Sequence, residues 1–241
     1  MIEVKITAKE LFYRLNQPRW AASQALRYLR EAVAEVSPSS FAALFRKVKP
    51  LTMCSYARLL ALHRAILYIE RNAIPGDIVE CGVAHGGSAA MMALTLTDLS
   101  RKLWMFDTFQ GLPEPGRENP DYEIALLYAG AFRAPLEEVR SSFRKLGIKN
   151  AVMIPGLFKE TLPLCPAKSI AVLHVDGDWH ESVLATLENL YDRVPPGGII
   201  QLDDYGHWAG ARRAVDEFIR SRNIAPSLRY IDFSGRQLMK T

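Results

Sequence analysis

The sequence is poor in several features that would have placed it quickly. Its three cysteines, Cys54, Cys81 and Cys165, are far apart and odd in number. They form no CxxC pair and no zinc spacing, so reduced thiols in a cytoplasm are the simplest reading. No apolar run reaches the length needed to cross a bilayer, and no membrane partner is expected. The opening MIEVKITAKELFYRL carries charges throughout and has no apolar signal core. Dense lysine or arginine runs are missing and the net charge is only +4, which argues against nucleic acid. Neither the GxGxxG of dinucleotide-binding proteins nor the Lys-Ser/Thr of a P-loop is present.

What is present fits an α/β chain. With 241 residues, 49% hydrophobic and 23% charged, it is long enough for one full core plus an extension. Residues from about Ala8 to Tyr68 read as helical, with breaks at Gln17-Pro18, Ser37-Pro38 and Lys49-Pro50. Residues 1–70 are thus expected to form a helical extension or lid, and 71–241 the main domain. Arg27, Arg30, Arg46 and Lys47 in the extension read as a solvated helix face. Thr52 is the expected N-cap of the helix that follows.

The most informative stretch is Ala171 to Tyr205. Two apolar runs, Ile170–Val175 and Gly198–Leu202, are of strand length, and each ends in acid: Asp176-Gly177-Asp178 and Asp203-Asp204. Between them Leu184, Leu187, Leu190 and Tyr191 recur at helical spacing. Strand, helix, strand is a parallel crossover, and ligands bind such sheets beyond the carboxyl ends of the strands. Turn chemistry alone explains either cluster. Two at equivalent strand ends favour a cation between them, and carboxylates suit Mg²⁺ or Ca²⁺.

Upstream, the strand Ile78–Cys81 runs into a glycine-rich turn, Gly82 to Ser88, and then a small-residue helix, Ala89 to Leu96. Such a turn lets a ligand approach the backbone and face helix N-terminal amides. The next strand, Leu103–Phe106, ends in Asp107, roughly twenty residues on, where an acid accepts hydrogen bonds from ribose. A long insertion from Gly111 to about Arg133 reads as functional or mobile. Helix Pro135–Leu146, strand Ala151–Ile154, helix Ala211–Arg222 and a late hairpin within Leu228–Leu238 complete the expected elements.

Several stretches together resemble one family. They are Pro75–Glu80 with Gly82 and Gly86-Gly87; Phe106–Pro113; Gly156–Pro163; Val175–Asp178; and Asp203–Gly206. Over Thr52 to Phe218 the chain is similar to the macrocin O-methyltransferases of the TylF/MycF/NovP type, metal-dependent S-adenosylmethionine enzymes that methylate sugar hydroxyls. The resemblance implies a Rossmann-like class I methyltransferase fold: a mostly parallel, doubly wound sheet with a C-terminal antiparallel hairpin. It implies that Glu80, Gly82, Gly87 and Ser88 hold the methionine moiety, Asp107 with Thr108 and Phe109 the ribose side, and that Thr52 and Met53 close over the cofactor. It further implies Mg²⁺ on Asp176, Asp203 and Asp204, Asp176 also bordering the cofactor, with Asp178 as general base. The family's DGDxYxS departs here at His180, where tyrosine is usual. His180 is a candidate substrate contact, read as a satisfied polar neighbour rather than a proton carrier.

The expected chemistry is in-line methyl transfer to an alcohol. Mg²⁺ lowers the hydroxyl's pKa and Asp178 takes its proton, while the fold aligns the reactants and excludes water. His85, Trp179, His207 and Trp208 are rim candidates, one of which is expected to touch the acceptor. The acceptor is read as a sugar or glycosylated small molecule. A catechol-type vicinal diol, or a non-catalytic nucleoside-binding protein on the same fold, are the alternatives. The N-terminal helices offer a homo-oligomer contact.

Overall fold

The computed structural model describes residues 18–37 and 39–241. The start of the expected helical region, before Pro18, lies outside them, as does Pro38. Three helices come first: α1 (Pro18–Val36), α2 (Ser40–Val48) and α3 (Tyr56–Arg71). Then β1 (Asp77–Cys81), α4 (Gly87–Thr95) and β2 (Leu103–Asp107) alternate. After the insertion come α5 (Leu136–Lys145), β3 (Ala151–Pro155) and β4 (Ile170–Val175). The chain continues through α6 (His180–Leu190), β5 (Ile199–Leu202) and α7 (Ala209–Ser221), and closes with β6 (Arg229–Tyr230) and β7 (Arg236–Met239).

The strands form one sheet in the order β3-β2-β1-β4-β5-β7-β6. The first five are parallel, and β7 runs antiparallel to both β5 and β6. The chain winds outward from β1 to β3, then returns to place β4 on the other side of β1. The crevice at this reversal, beyond the carboxyl ends of β1 and β4, is where such sheets take ligands. β4 is buried along its whole length, as its sequence, apolar but for His174, requires of a central parallel strand.

Helices cover both faces. On one, Phe41, Phe45, Leu59, Leu62 and Ile66 of α2 and α3 share a core with Met91 of α4 and with Ile78 and Met105 of the sheet. On the other, Val183 and Leu187 of α6 and Ala214 and Phe218 of α7 pack on Val79, Leu173 and Ile200. Helices α2 and α3 are therefore part of the core. Among the described residues, no helix is long and apolar enough to cross a membrane.

One local expectation is corrected. Thr52 does not cap α3; Ser55 does, accepting from the Arg58 amide at 3.2 Å. Thr52 instead accepts from the Cys54 amide at 3.0 Å, a two-residue turn that its hydroxyl makes as readily as a cap.

Candidate active site

The carboxyl ends of the strands open into a cavity of about 1040 Å³. At one end its wall carries Gly82, Ser88, Asp107 and Thr108, with Thr52 and Met53 across from them. Gly82 has φ +94°, and a Cβ there would lie 1.7 Å from the Asp176 carbonyl oxygen. Glycine at this point lets the β1 turn press against the β4 turn, joining the two halves of the crevice. A Cβ on Gly87 would lie 2.5 Å from Thr52 Cβ, so the start of α4 and the Thr52–Met53 segment meet through that glycine.

Asp107 organises this end. Its Oδ2 accepts from the amides of Val83 (2.7 Å) and Ala84 (3.0 Å), and Oδ1 from the Phe109 amide (2.7 Å). The carboxylate therefore first fixes the glycine turn, before any ribose contact. Phe109 is buried beneath rather than in the cavity wall. Glu80 is fully buried in β1 and is not among the cavity walls; its carboxylate engages His174 through Oε1, and Ser88. A buried carboxylate that engages Ser88, which does line the cavity, suits the ammonium of an amino acid moiety.

The acids begin where Gly82 meets Asp176. Asp176, Asp178 and Asp204 each offer an oxygen within 4.8 Å of the others. Asp176 and Asp203, with Cys54 and His174, make a second such group. Burial and the neighbouring carboxylates push Asp176 and Asp178 well above the ordinary range, and Asp204 up to about 7. Asp203 behaves oppositely. Burial works against its ionisation, but the Arg58 guanidinium and the His174 ring outweigh that and hold it at about 2. Asp203 and Asp204 are buried and Asp176 and Asp178 half-buried, and hard carboxylate oxygens so crowded fit a divalent cation, which would relieve their repulsion.

Two further groups tie this floor together. His174 bridges Glu80 (Nδ1, 2.7 Å) and Asp203 (Nε2, 3.2 Å), and Arg58 donates through Nη1 to Asp203. Neither was singled out in the sequence. His174 is hidden inside an apolar strand, although the parallel pairing sets it directly opposite Glu80. Cys54 Sγ lies 3.6 Å from Asp203 Oδ1, so this thiol too belongs to the floor.

Backbone strain is concentrated at the rim. Ala84, Phe109 and Asp178, following β1, β2 and β4, have φ of 44°, 56° and 53°. Non-glycine residues take that conformation only where the surroundings impose it.

Of the acceptor candidates, His207 and Trp208 line the cavity. Trp208 donates to Asp178 Oδ1 at 2.9 Å. Trp179 is corrected: it is fully buried, donating to the Pro113 carbonyl at 2.9 Å, and serves to pin the insertion to the core. His85 and His180 are not among the cavity walls. His180 pairs instead with Glu217 at 2.6 Å. Arg27 and Arg30, expected on a solvated face, border the cavity, and Arg27 pairs with Glu31 at 2.8 Å.

A family model described as Macrocin-O-methyltransferase (TylF) matches residues 30–240. The chain belongs to the macrocin O-methyltransferase family. The match extends beyond the motif-bearing Thr52–Phe218 at both ends. One relative is the 8-demethyl-8-(2,3-dimethoxy-alpha-L-rhamnosyl)-tetracenomycin-C 4'-O-methyltransferase of Streptomyces olivaceus. It is 37% identical over 76% of this chain and 73% of its own. The demethyldecarbamoylnovobiocin O-methyltransferase of Streptomyces niveus is also 37% identical, over 79% of this chain and 76% of its own. Among solved structures, the O-methyltransferase NovP superposes with a TM-score of 0.75 at 34% identity, covering 79% of this chain and 82% of that one. This macrocin-family chain is an S-adenosylmethionine-dependent O-methyltransferase with the expected mostly parallel class I fold.

Proposed function

We propose that this enzyme methylates a hydroxyl of a sugar or glycosylated small molecule with the help of Mg²⁺. The observation that carries the reading is the convergence of carboxylates, two buried and two half-buried, in a cavity whose wall also holds the glycine turn fixed by Asp107. The sugar acceptor is supported by the relatives, whose names place their methyl groups on a rhamnosyl compound and on novobiocin and mycinamicin precursors.

Asp176 and Asp204, which lie in one group, would hold the cation, and Asp203, which meets Asp176 in the other group, would join them by exchanging His174 and Arg58 for the metal. Mg²⁺ bound there would supply a lowered hydroxyl pKa and a fixed orientation for the acceptor. Asp178 is the proton acceptor in this reading. It faces the cavity, and the Trp208 indole fixes its Oδ1. A base so held is ready to act without reorganising. Thr52 and Met53 close the cofactor end, Glu80 receives the ammonium, and the buried wall keeps water from competing for the methyl group.

The test is calorimetric titration of chelator-treated protein with S-adenosylhomocysteine and then Mg²⁺, followed by turnover assays on sugar acceptors. Asp203→Asn is expected to keep the first binding and lose the second. Asp178→Asn is expected to keep both and lose turnover. A catechol methylated in preference to every sugar would overturn the acceptor class.

A further inference from the structure

Beyond its acidic floor, the cavity has a wall of opposite charge. Arg212, in the first turns of α7, and Arg236, which opens β7, both line it. The two guanidiniums stand over the same ring, that of Tyr205, at 5.5 and 5.6 Å from its centroid. Taken end to end, these distances keep the two charges within about 11 Å of each other. Arg236 also lies over Tyr230 at 4.6 Å.

Neither arginine has a carboxylate partner among the described residues. Arg212 donates through Nε to the Tyr205 carbonyl at 3.1 Å. Arg236 donates through Nη1 to the carbonyls of Asp232 and Gly235, at 2.9 and 2.8 Å. The neighbouring acids are spent elsewhere. Asp216 accepts from the Tyr205 hydroxyl at 2.9 Å, and Asp232 accepts from Ser55 and pairs with Arg58. Stacking on tyrosine orients a guanidinium and leaves its outer donors available, but it does not cancel its charge. Burial, and then the repulsion of Arg212, depress the pKa of Arg236, although Tyr230 and Asp232 partly offset this. The fold thus holds two like charges together at the substrate cavity, an arrangement that an anion would relieve.

We propose that Arg212 and Arg236 bind an anionic group on the acceptor, so that the methylated sugar is charged: a sugar phosphate, nucleoside-diphosphate sugar or uronic acid rather than a neutral glycoside. This rests on the acidic floor being the transfer site. The pair is placed for it. Tyr205 directly follows Asp204, and Ser234, two residues before Arg236, donates to the Asp203 carbonyl at 2.6 Å. The planar fork of arginine matches phosphate and carboxylate oxygens in pairs.

The test uses chelator-treated protein saturated with S-adenosylhomocysteine, so that no anion binds through a metal. Inorganic pyrophosphate, glucose 1-phosphate, glucuronate and methyl rhamnoside are titrated into the wild type, Arg212→Gln, Arg236→Gln and the double variant. Anion binding is expected in the wild type, weakened about tenfold in each single variant and lost in the double. S-adenosylhomocysteine affinity should stay unchanged, which separates the effect from misfolding, while the melting temperature falls slightly with the lost carbonyl and ring contacts. Stronger binding of the phosphates assigns a phosphorylated acceptor, and stronger binding of glucuronate assigns a uronic acid. Anions that do not bind, or bind all four proteins alike, overturn the proposal. So does a double variant that loses S-adenosylhomocysteine instead, since the arginines would then serve the cofactor carboxylate. Failure of the wild type to bind S-adenosylhomocysteine would count against the transfer site itself.

Discussion

Arg58 and Asp203 form a buried ion pair that joins α3 to the end of β5. The same guanidinium reaches Asp232 of the C-terminal hairpin at 3.4 Å, so one cation clamps three parts of the chain beside the acidic floor. It also occupies a carboxylate assigned here to Mg²⁺. Arg58→Met should lower stability by about 3 kcal/mol, because it leaves Asp203 buried without its main partner. It should at the same time tighten Mn²⁺ binding to the chelator-treated protein, since an internal competitor is gone. Denaturant unfolding reads the first effect and metal titration the second. Unchanged metal affinity would show that Arg58 and the cation use different faces of Asp203.

His174 gives a pH dependence whose sign follows from its neighbours. Burial alone favours the neutral ring. The hydrogen bonds and charges of Asp203 and Glu80 outweigh it and raise the pKa to about 9, from 6.5 in an unfolded chain. Between those values the folded protein binds a proton that the unfolded chain releases. The stabilisation is therefore complete below about pH 6.5 and lost as pH rises through about 9. Melting curves of chelator-treated protein should fall over this range, and fall less steeply in His174→Gln. Parallel curves for the two proteins would mean that the ring is neutral in the fold.

Two glycines of similar backbone separate close packing from conformational strain. Gly82 and Gly147 have φ of +94° and +74°. A Cβ on Gly147 meets nothing within 4 Å, so Gly147→Ala should cost only the strain of its conformation, about 1 kcal/mol. A Cβ on Gly82 runs into the Asp176 backbone, which cannot yield without separating β1 from β4. Gly82→Ala should lose well over 2 kcal/mol and most S-adenosylhomocysteine affinity, as thermal melts and calorimetry would show. A Gly82→Ala protein as stable as Gly147→Ala would mean that the two turns do not need their close approach.

The sequence was most legible where a pattern is local. Apolar runs ending in Asp176, Asp107 and Asp203 are strands within a residue or two of where they were expected. A parallel crossover then brings the acids of β4 and β5 to one rim. Contacts that depend on register or on distant helices were not legible. His174 looked like one more position in an apolar strand, and only its pairing opposite Glu80 reveals a buried ionisable bridge. Arg58 and Arg236 lie far apart in sequence, and only the hairpin's return beside β5 brings both to the cavity. Trp179 misled because strand-end aromatics often face ligands. Here the insertion folds back and buries it.

Asp107 was expected to serve the cofactor's ribose, and the structure gives it an earlier duty. Three backbone amides, those of Val83, Ala84 and Phe109, converge on its carboxylate, two of them at residues with left-handed backbone. Without that acceptor the amides lose their partner and the strained turn loses its support. Asp107→Ala should therefore weaken S-adenosylhomocysteine binding and also lower stability by about 1–3 kcal/mol. Asp107→Asn retains one acceptor oxygen and should fall between the wild type and alanine on both counts. Asp203→Asn should leave S-adenosylhomocysteine affinity intact. Calorimetry and denaturant unfolding on the same three proteins distinguish the two duties of Asp107. Lost affinity at undiminished stability would restore the simpler view, in which the carboxylate does no more than receive the ribose.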